Sequence, residues 1–288
     1  MNSNRRSVLF ALALTAAALA PAGAARADLV LPRPSPSATS KQTIGNTELT
    51  LAYSRPGVKG RVIWGELVPF DAVWRTGANE PNSFTTSDEI TVGGAKLAAG
   101  TYSILTLPTK TTWTVIFSTQ KGLLGSTNYD AKFDALRITA TPAMDQPVQE
   151  WMWFGFDDLT PTSANLVLRW EKLRLALPIQ VDVNNLVLAD CRTEVAAAKS
   201  DDWRTTFNAA RWCFDSNVAL AEGAGWLDKS LAVQKTHGNL NLKARWLYKD
   251  GKKTEAIAAA KEAVAAGKAS KETVDTSATE KLVAEWTK

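Results

Sequence analysis

The side chains best suited to recognise a ligand are concentrated in residues 53–80. This stretch holds three guanidinium groups, and a guanidinium is a planar set of donors that pairs with a carboxylate or a phosphate. It also holds two indoles, which can stack on a sugar or an aromatic ligand. Its glycines and prolines predict a long loop between strands, and such loops often carry function. The candidate ligand-binding residues are Arg55, Arg61, Trp64, Trp74, Arg75, Asn79 and Glu80.

Three carboxylates in the same loop support a second hypothesis, namely a hydrolase or lyase that acts on saccharide or envelope material. Such an enzyme would use two of Glu66, Asp71 and Glu80 as acid and base across a cleft. A structural role is the third reading: Trp64 and Trp74 would close the open end of a β-sandwich, and Asn79 would hold a turn. The sequence leaves these readings open and favours a binding or protein-interaction module that uses the Arg55–Glu80 loop and the C-terminal helical tail, so we assign no catalytic residue.

Histidine is too scarce to support several common kinds of active site. The one histidine, His237, falls at a predicted helix end beside Gly238, where we expect it to be exposed. A zinc site needs several His or Cys ligands. A Ser-His-Asp triad in the N-terminal half would need the imidazole of His237, which lies in the C-terminal half of the chain. Phosphate-loop and dinucleotide motifs are also missing. We therefore predict neither a metal nor a cofactor.

The two cysteines, Cys191 and Cys213, fall on successive predicted helices. In an oxidising compartment such a pair favours a disulfide, which would contribute roughly 3 kcal/mol by closing a loop of this size. Two buried thiols are the alternative.

The first 27 residues have the pattern of a secretory signal peptide. Arg5 and Arg6 precede an apolar run at 8–20, and Ala25-Arg26-Ala27 offers the small residues of a cleavage site. The run is too short for a bilayer core, which needs roughly 20 apolar residues, so we expect no membrane span in the mature chain. Both ordinary secretion and twin-arginine export would place the protein in the periplasm or outside the cell.

Charge argues against nucleic acid as a partner. The formal net charge is +4, and three of the four units belong to Arg5, Arg6 and Arg26 in the leader. The rest of the chain is nearly neutral and has no field to attract a phosphate backbone. Another envelope protein or a saccharide is the expected partner.

The fold class predicted is α+β, with an N-terminal antiparallel β-sandwich at 40–182 behind a proline-rich arm at 28–39. Short segments of alternating or continuous apolar residues are separated by turn residues, which is typical of a sandwich or barrel. Gly93-Gly94 predicts a two-residue hairpin, because both turn positions need a positive φ. The strands expected are 49–53, 90–92, 95–97, 101–107, 113–117, 136–140, 151–156, 164–170 and 173–181.

The character of the sequence changes near residue 184, where alanine becomes frequent and apolar residues recur every three or four positions. This pattern predicts a C-terminal all-α domain at 184–288. The segment 242–263 resembles a tetratricopeptide-like helix pair, in which small alanines let two helices approach closely. Asp201 or Asp202 is expected to cap the second helix, and Gly251 and Gly267 to end helices. The helices expected are 186–199, 201–218, 226–236, 239–249, 253–266 and 276–286.

Residues 32–181 resemble a bacterial family called "domain of unknown function 2911". The resemblance is carried by Tyr53-Ser-Arg-Pro56, Lys59-Gly-Arg61, Ile63-Trp-Gly65, Leu67-Val-Pro69 and above all Val73-Trp-Arg-Thr-Gly-Ala-Asn-Glu80. It implies an exported bacterial protein, and some members have a helical tail such as this one. Because the family has no assigned activity, it implies no catalytic residue.

Overall fold

The computed structural model describes residues 31–123 and 125–288. The predicted signal peptide at 1–27 lies outside the described residues, as does the start of the proline-rich arm.

Eleven antiparallel strands form two sheets, which confirms the predicted sandwich class. The six-stranded sheet has the order β1-β2-β3-β6-β7-β8, and the five-stranded sheet has the order β5-β4-β11-β10-β9. The strands are β1 (Ser37–Ile44), β2 (Thr47–Ser54), β3 (Asn82–Thr86), β4 (Ile90–Val92), β5 (Ala95–Leu97), β6 (Gly100–Pro108), β7 (Trp113–Ser118), β8 (Asp134–Ala140), β9 (Gln149–Asp157), β10 (Ser163–Glu171) and β11 (Leu173–Gln180).

The core lies between the two sheets, because alternate side chains of each strand point inward. Leu51 and Phe84 from the six-stranded sheet belong to the same buried cluster as Leu166 and Leu177 from the five-stranded sheet. All four are at most 3% exposed. Burial of this apolar surface is the main favourable term in the folding of the sandwich.

Two strands were not predicted from the sequence. The first, β1, is an edge strand that pairs with β2, and its residues are polar except Ala38 and Ile44, so its sequence shows little of the apolar alternation that marks a half-buried strand. It begins at Ser37, so the boundary drawn at residue 39 falls within it. The second, β3, sits between β2 and β6 and directly follows the long loop. The hairpin at Gly93-Gly94 is confirmed, with φ values of +56° and +87°.

Six helices follow the sandwich, and all six were predicted. Asp202 caps the second helix by accepting from the backbone N–H groups of Arg204 and Thr205. The helices are α1 (Val183–Ala197), α2 (Trp203–Ser216), α3 (Leu220–Val233), α4 (His237–Lys249), α5 (Lys253–Lys268) and α6 (Ser277–Thr287).

Gly223 and Gly267 fall outside the predicted helices but lie inside the observed ones, where each packs closely against a neighbouring segment. The third helix starts at Leu220, six residues before the predicted start, and includes Gly223. A Cβ at Gly223 would stand 2.6 Å from the Cβ of Cys213, so glycine is required where α3 crosses α2. Gly267 lies in the last turn of α5 against Thr276 rather than ending the helix.

The last helices pack through small side chains, as the helix-pair pattern predicts. Buried Ala256, Ala260 and Ala263 lie on α5, whose main neighbour is α4. The first helix starts against the sandwich, where Val183 packs on Gly45. Within the described part of the chain, none of the helices has the length and apolar character needed to cross a bilayer.

The expected disulfide is not formed, and both cysteines are free thiols. Cys213 is fully buried in the apolar cluster between α2 and α3. Burial, followed by the neighbouring Cys191 and Glu222, raises the pKa of the Cys213 thiol to about 11. Because the thiolate is the form that enters disulfide exchange, this environment disfavours the bridge.

The prediction that His237 is exposed is wrong. The ring is half-buried at the first position of α4, and its Nε2 lies 2.9 Å from the Oγ1 of Thr279 on α6. The histidine therefore ties α4 to α6.

Candidate functional site

Residues 55–80 connect β2 to β3 and run across one end of the sandwich. Near its start the segment pairs with β9, where Val58 N–H donates to the Glu150 carbonyl at 2.8 Å. Near its end it pairs with β6, where Trp74 and Thr106 exchange backbone hydrogen bonds of 2.7 and 2.9 Å. Because β9 and β6 belong to different sheets, the segment ties both sheets together.

Four tryptophans cluster where this segment meets the sandwich, and two of them, Trp64 and Trp74, belong to the segment itself. Trp64 lies edge-to-face against Trp113 of β7 at 5.1 Å and Trp170 of β10 at 5.8 Å between ring centroids. Trp74 stacks on Trp170 at 5.9 Å with an interplanar angle of 17°. Trp113 and Trp170 are each 1% exposed, so Trp64 closes the end of the sandwich core.

Two buried indole N–H groups in this cluster, those of Trp64 and Trp170, lack a hydrogen-bond acceptor among the described residues. Edge-to-face packing is the arrangement in which an indole N–H can donate to the π face of a neighbour. The four rings form an aromatic plug in which Trp64 and Trp74 are half-buried and Trp113 and Trp170 are fully buried.

A cavity of about 260 Å³ opens above the plug, and three predicted ligand-binding residues line it: Arg61, Trp74 and Arg75. None of the described lining residues is acidic. The wall consists of Ser35, Pro56, Arg61, Leu67, Val68, Trp74, Arg75, Gly77, Ala78, Ser126 and Trp170.

The Arg75 side chain is half-buried and only partly engaged. Its Nε donates to the Gly77 carbonyl at 3.3 Å, and the described residues provide no recorded partner for its two terminal nitrogens. The guanidinium passes close over Gly125, where an added Cβ would stand 2.9 Å from Nη1. Gly125 also has a φ of +67°, which glycine adopts without strain. Arg75 is thus tethered at Nε and keeps its terminal donors for a ligand.

Arg61 is exposed and folds back on its own loop. Its Nε donates to the Val58 carbonyl at 3.1 Å and its Nη2 donates to the Gly57 carbonyl. These bonds fix the plane of the guanidinium at the cavity wall and leave Nη1 without a recorded partner among the described residues.

Backbone strain is concentrated in the same segment. Eight described non-glycine residues have positive φ, and four of them lie here: Lys59, Asp71, Thr76 and Asn79. Thr76 is the most unusual, since it is β-branched, fully buried and has a φ of +57°. It is held by Asn82, which donates to its carbonyl, and by Thr106, whose hydroxyl lies 3.1 Å from its own. This strained residue lies between Arg75 and Gly77, whose carbonyl accepts from the Nε of Arg75.

The remaining predicted residues support the loop rather than the cavity. The Nε of Arg55 donates to the Met152 carbonyl at 2.8 Å. The amide of Asn79 bonds to the Ser35 carbonyl at 2.9 Å and the Ser54 hydroxyl at 3.1 Å. Glu80 lies beside a separate shallow depression near Tyr53. Glu66, Asp71 and Glu80 are all exposed.

Two parts of the site gave no signal in the sequence. Trp170 reaches it from β10, and Ser126 reaches it from the connection between β7 and β8. That connection is anchored by Tyr129, whose hydroxyl lies 2.5 Å from Asp134 Oδ2. Burial first, and then this hydrogen bond, raise the pKa of Tyr129 to about 12. Only the tertiary fold brings these residues to the loop, so local spacing could not reveal them.

Comparison with known proteins gave one match. A family model described as "Protein of unknown function (DUF2911)" matches residues 35–179, which is half of the chain and nearly the whole sandwich. The curated proteins gave no match, and the solved structures gave none. The match includes the Arg55–Glu80 segment and agrees with the resemblance read from its motifs. The chain therefore belongs to the family described as "Protein of unknown function (DUF2911)".

Proposed function

We propose that this chain is a binding protein that holds a small anionic ligand in the cavity formed by residues 55–80. The observation that carries the proposal is the lining: two guanidiniums and one accessible indole converge on a single cavity, and none of its described lining residues is acidic. Guanidiniums without a nearby carboxylate favour a carboxylate or a phosphate group.

The volume and the wall indicate the size and shape of the ligand. A cavity of about 260 Å³ is slightly smaller than the range of roughly 300–1,000 Å³ typical of ligand pockets. Trp74 lies on the buried Trp170, so its ring is a fixed apolar surface rather than a mobile one. These features suit a small acid with an apolar or ring-shaped body.

Strain at Thr76 supports a functional role for Arg75. A residue in the left-handed region costs of order 1–3 kcal/mol and persists only where its surroundings enforce it. Here Asn82 and Thr106 enforce it, so the backbone beside Arg75 is held in one conformation. Preorganisation of this kind lowers the entropic cost of binding.

The positions of the carboxylates favour binding over hydrolysis. Paired-carboxylate catalysis needs two acids facing one cleft at roughly 5–10 Å. Glu66, Asp71 and Glu80 are exposed, and the cavity wall within the described chain includes none of them. We therefore place recognition at the arginines.

Export is part of the proposal and is supported by residues 1–27 alone. Expression in a bacterial host with the leader intact should yield a protein that begins at Asp28. N-terminal sequencing of the periplasmic fraction tests this, and a retained Met1 in that fraction would contradict cleavage.

Thermal melting in the presence of small anions tests the cavity. Benzoate, succinate and inorganic phosphate are suitable probes because they differ in body and charge. A ligand at 100 times its Kd stabilises by about 2.7 kcal/mol, so at least one probe should raise the melting temperature. Arg75→Ala should abolish the shift, and Arg75→Lys should reduce it because lysine lacks the planar fork.

Arg211→Ala is the matched control, because Arg211 is exposed on α2 far along the chain from the cavity. It should leave the shift unchanged. The proposal fails if no probe stabilises the protein, or if Arg75→Ala responds as the wild type does while melting normally without ligand.

A further inference from the structure

A cavity of about 770 Å³ lies among the helices, apart from the arginines of the sandwich. Three segments form it: the first turn of α2, the connection from α3 into α4, and the end of α5 with the connection to α6. We call this cavity the helical groove and define it by Trp203, Arg204, Phe207, Lys235, Gly267 and Lys271.

The charged side chains of the helical groove are mostly basic. Arg204, Lys235 and Lys271 line it and are exposed, whereas Glu272 is the one acid among its described lining residues. Lys235 is paired with Glu262 at 2.7 Å, but both side chains are about half exposed or more, and exposed pairs of this kind are worth little. The groove therefore complements a partner with negative charge.

Two aromatic rings form an apolar surface in the same groove. Trp203 and Phe207 are half-buried, with ring centroids 6.1 Å apart. The guanidinium of Arg204 lies 4.6 Å from the centroid of the Trp203 ring. A basic group beside an aromatic surface suits a ligand that has both carboxylates and an apolar side chain.

The rest of the wall indicates a peptide rather than a small molecule. Small-molecule pockets are lined mainly by apolar and aromatic side chains. Here large apolar side chains are few, and the wall is dominated by charged, polar and small residues such as Gln234, Gly238 and Ala269. Small residues let a backbone approach closely, and a glutamine side chain can bond to a peptide group.

We propose that the helical groove binds an extended acidic peptide segment of a partner protein. The carboxylates of the peptide pair with Arg204 and Lys271, and an apolar side chain of the peptide packs on Trp203 and Phe207. This site is separate from the cavity at Arg75 and does not depend on it.

The test uses the full chain and a fluorescein-labelled decapeptide of Asp and Glu with one central Phe, followed by fluorescence polarisation. The wild type should bind this peptide and should not bind the same peptide with Lys at every acidic position. Raising NaCl from 50 to 500 mM should weaken binding at least several-fold, because exposed charges are screened. Arg204→Glu combined with Lys271→Glu should weaken binding at least tenfold.

This double variant should still fold, since an acid in the first turn of α2 is favourable at a helix N-terminus. Lys41→Glu with Lys110→Glu is the matched control, because it makes the same number of charge reversals at exposed lysines of the sandwich, outside the groove. It should bind the acidic peptide as the wild type does.

Three results would overturn the proposal: no binding of the acidic peptide by the wild type, equal binding by the groove double variant, or equal loss in the control double variant. Failure of the anion probes at Arg75 has no bearing on this outcome.

Discussion

The side-chain amide of Asn82 donates a hydrogen bond to the carbonyl of Thr76, so the first residue of β3 holds the strained residue that follows Arg75. Asn82 is 1% exposed, and Thr76 is fully buried. Asn82 does not line the cavity, yet it holds the backbone next to Arg75. This relationship connects the stability of the loop with binding.

Asn82→Ala should destabilise the protein and weaken anion binding together. Removing the amide leaves a buried carbonyl unsatisfied, which costs about 1–3 kcal/mol. Urea unfolding measures the loss, and melting with benzoate measures the binding. Asn165→Ala is the control, because the Asn165 amide bonds to Asp158 at the surface and should cost less than about 0.5 kcal/mol. Equal losses in both variants would contradict the role assigned to Asn82.

Gly125→Ala should reduce anion binding more than it reduces stability. The new methyl group would stand 2.9 Å from Nη1 of Arg75, and the end of that flexible side chain can move away. The positive φ at this position adds a cost of about 1–2 kcal/mol. Gly122→Ala is the matched control, since it has a similar φ of +65° and nothing within 4 Å of the added methyl group. Retention of the anion-induced shift in Gly125→Ala would show that Arg75 does not need its observed position.

Two substitutions within α3 should have opposite effects on stability. Gly225→Ala places a methyl group in open space, so it should stabilise the protein by about 0.5–1 kcal/mol through helix propensity. Gly223→Ala places one 2.6 Å from Cys213 Cβ and 3.0 Å from the Trp246 ring, so the two helices must separate. It should destabilise by about 1–3 kcal/mol. Chemical unfolding of both variants provides the comparison, and stabilisation by Gly223→Ala would contradict the close crossing of α2 and α3.

Alkaline pH should destabilise the helical part through Cys213. Its folded pKa is raised from 9.0 to about 11, so the folded state holds its proton more tightly than the unfolded state does. This stability is fully present below pH 9 and is lost as pH rises toward 11, with a slope of at most about 1.4 kcal/mol per pH unit for one proton. Cys213→Ala should lose that part of the slope, although it also lowers stability at neutral pH.

The same burial should make Cys213 unreactive in the native protein. At pH 8 a thiol reagent should label Cys213 slowly, and denaturation should expose both cysteines to rapid labelling. Mass spectrometry of the non-reduced protein should show no loss of two hydrogens. A mass lower by two hydrogens would restore the disulfide that the sequence suggested.

Most of the architecture could be predicted from local patterns, and the exceptions have physical causes. Alternating segments and the Gly93-Gly94 turn indicated the sandwich, and apolar residues at three-to-four spacing indicated all six helices. The edge strand β1 was missed because most of its residues are polar. The start of α3 was misplaced because a glycine that permits close packing looks, in sequence, like one that breaks a helix.

The site could be predicted only where it is local. Arg61, Trp74 and Arg75 lie within one loop, and they do line one cavity. Trp64, in contrast, is part of the plug, and Arg55 and Asn79 bond to the backbone of neighbouring segments. Whether an arginine faces a ligand or satisfies a carbonyl depends on which strands lie beside it, and that is a property of the tertiary fold.

The close, steeply inclined indoles of the plug have an optical consequence. Five of the six pairs among Trp64, Trp74, Trp113 and Trp170 have ring centroids 5.1–6.4 Å apart, and four of these five are inclined at 67–86°. Transition dipoles at such separations and angles couple and produce a paired positive and negative band in the ultraviolet circular dichroism spectrum. A ligand in the neighbouring cavity would perturb Trp74, which lines it. Ligand binding could therefore be followed through this spectrum without a dye.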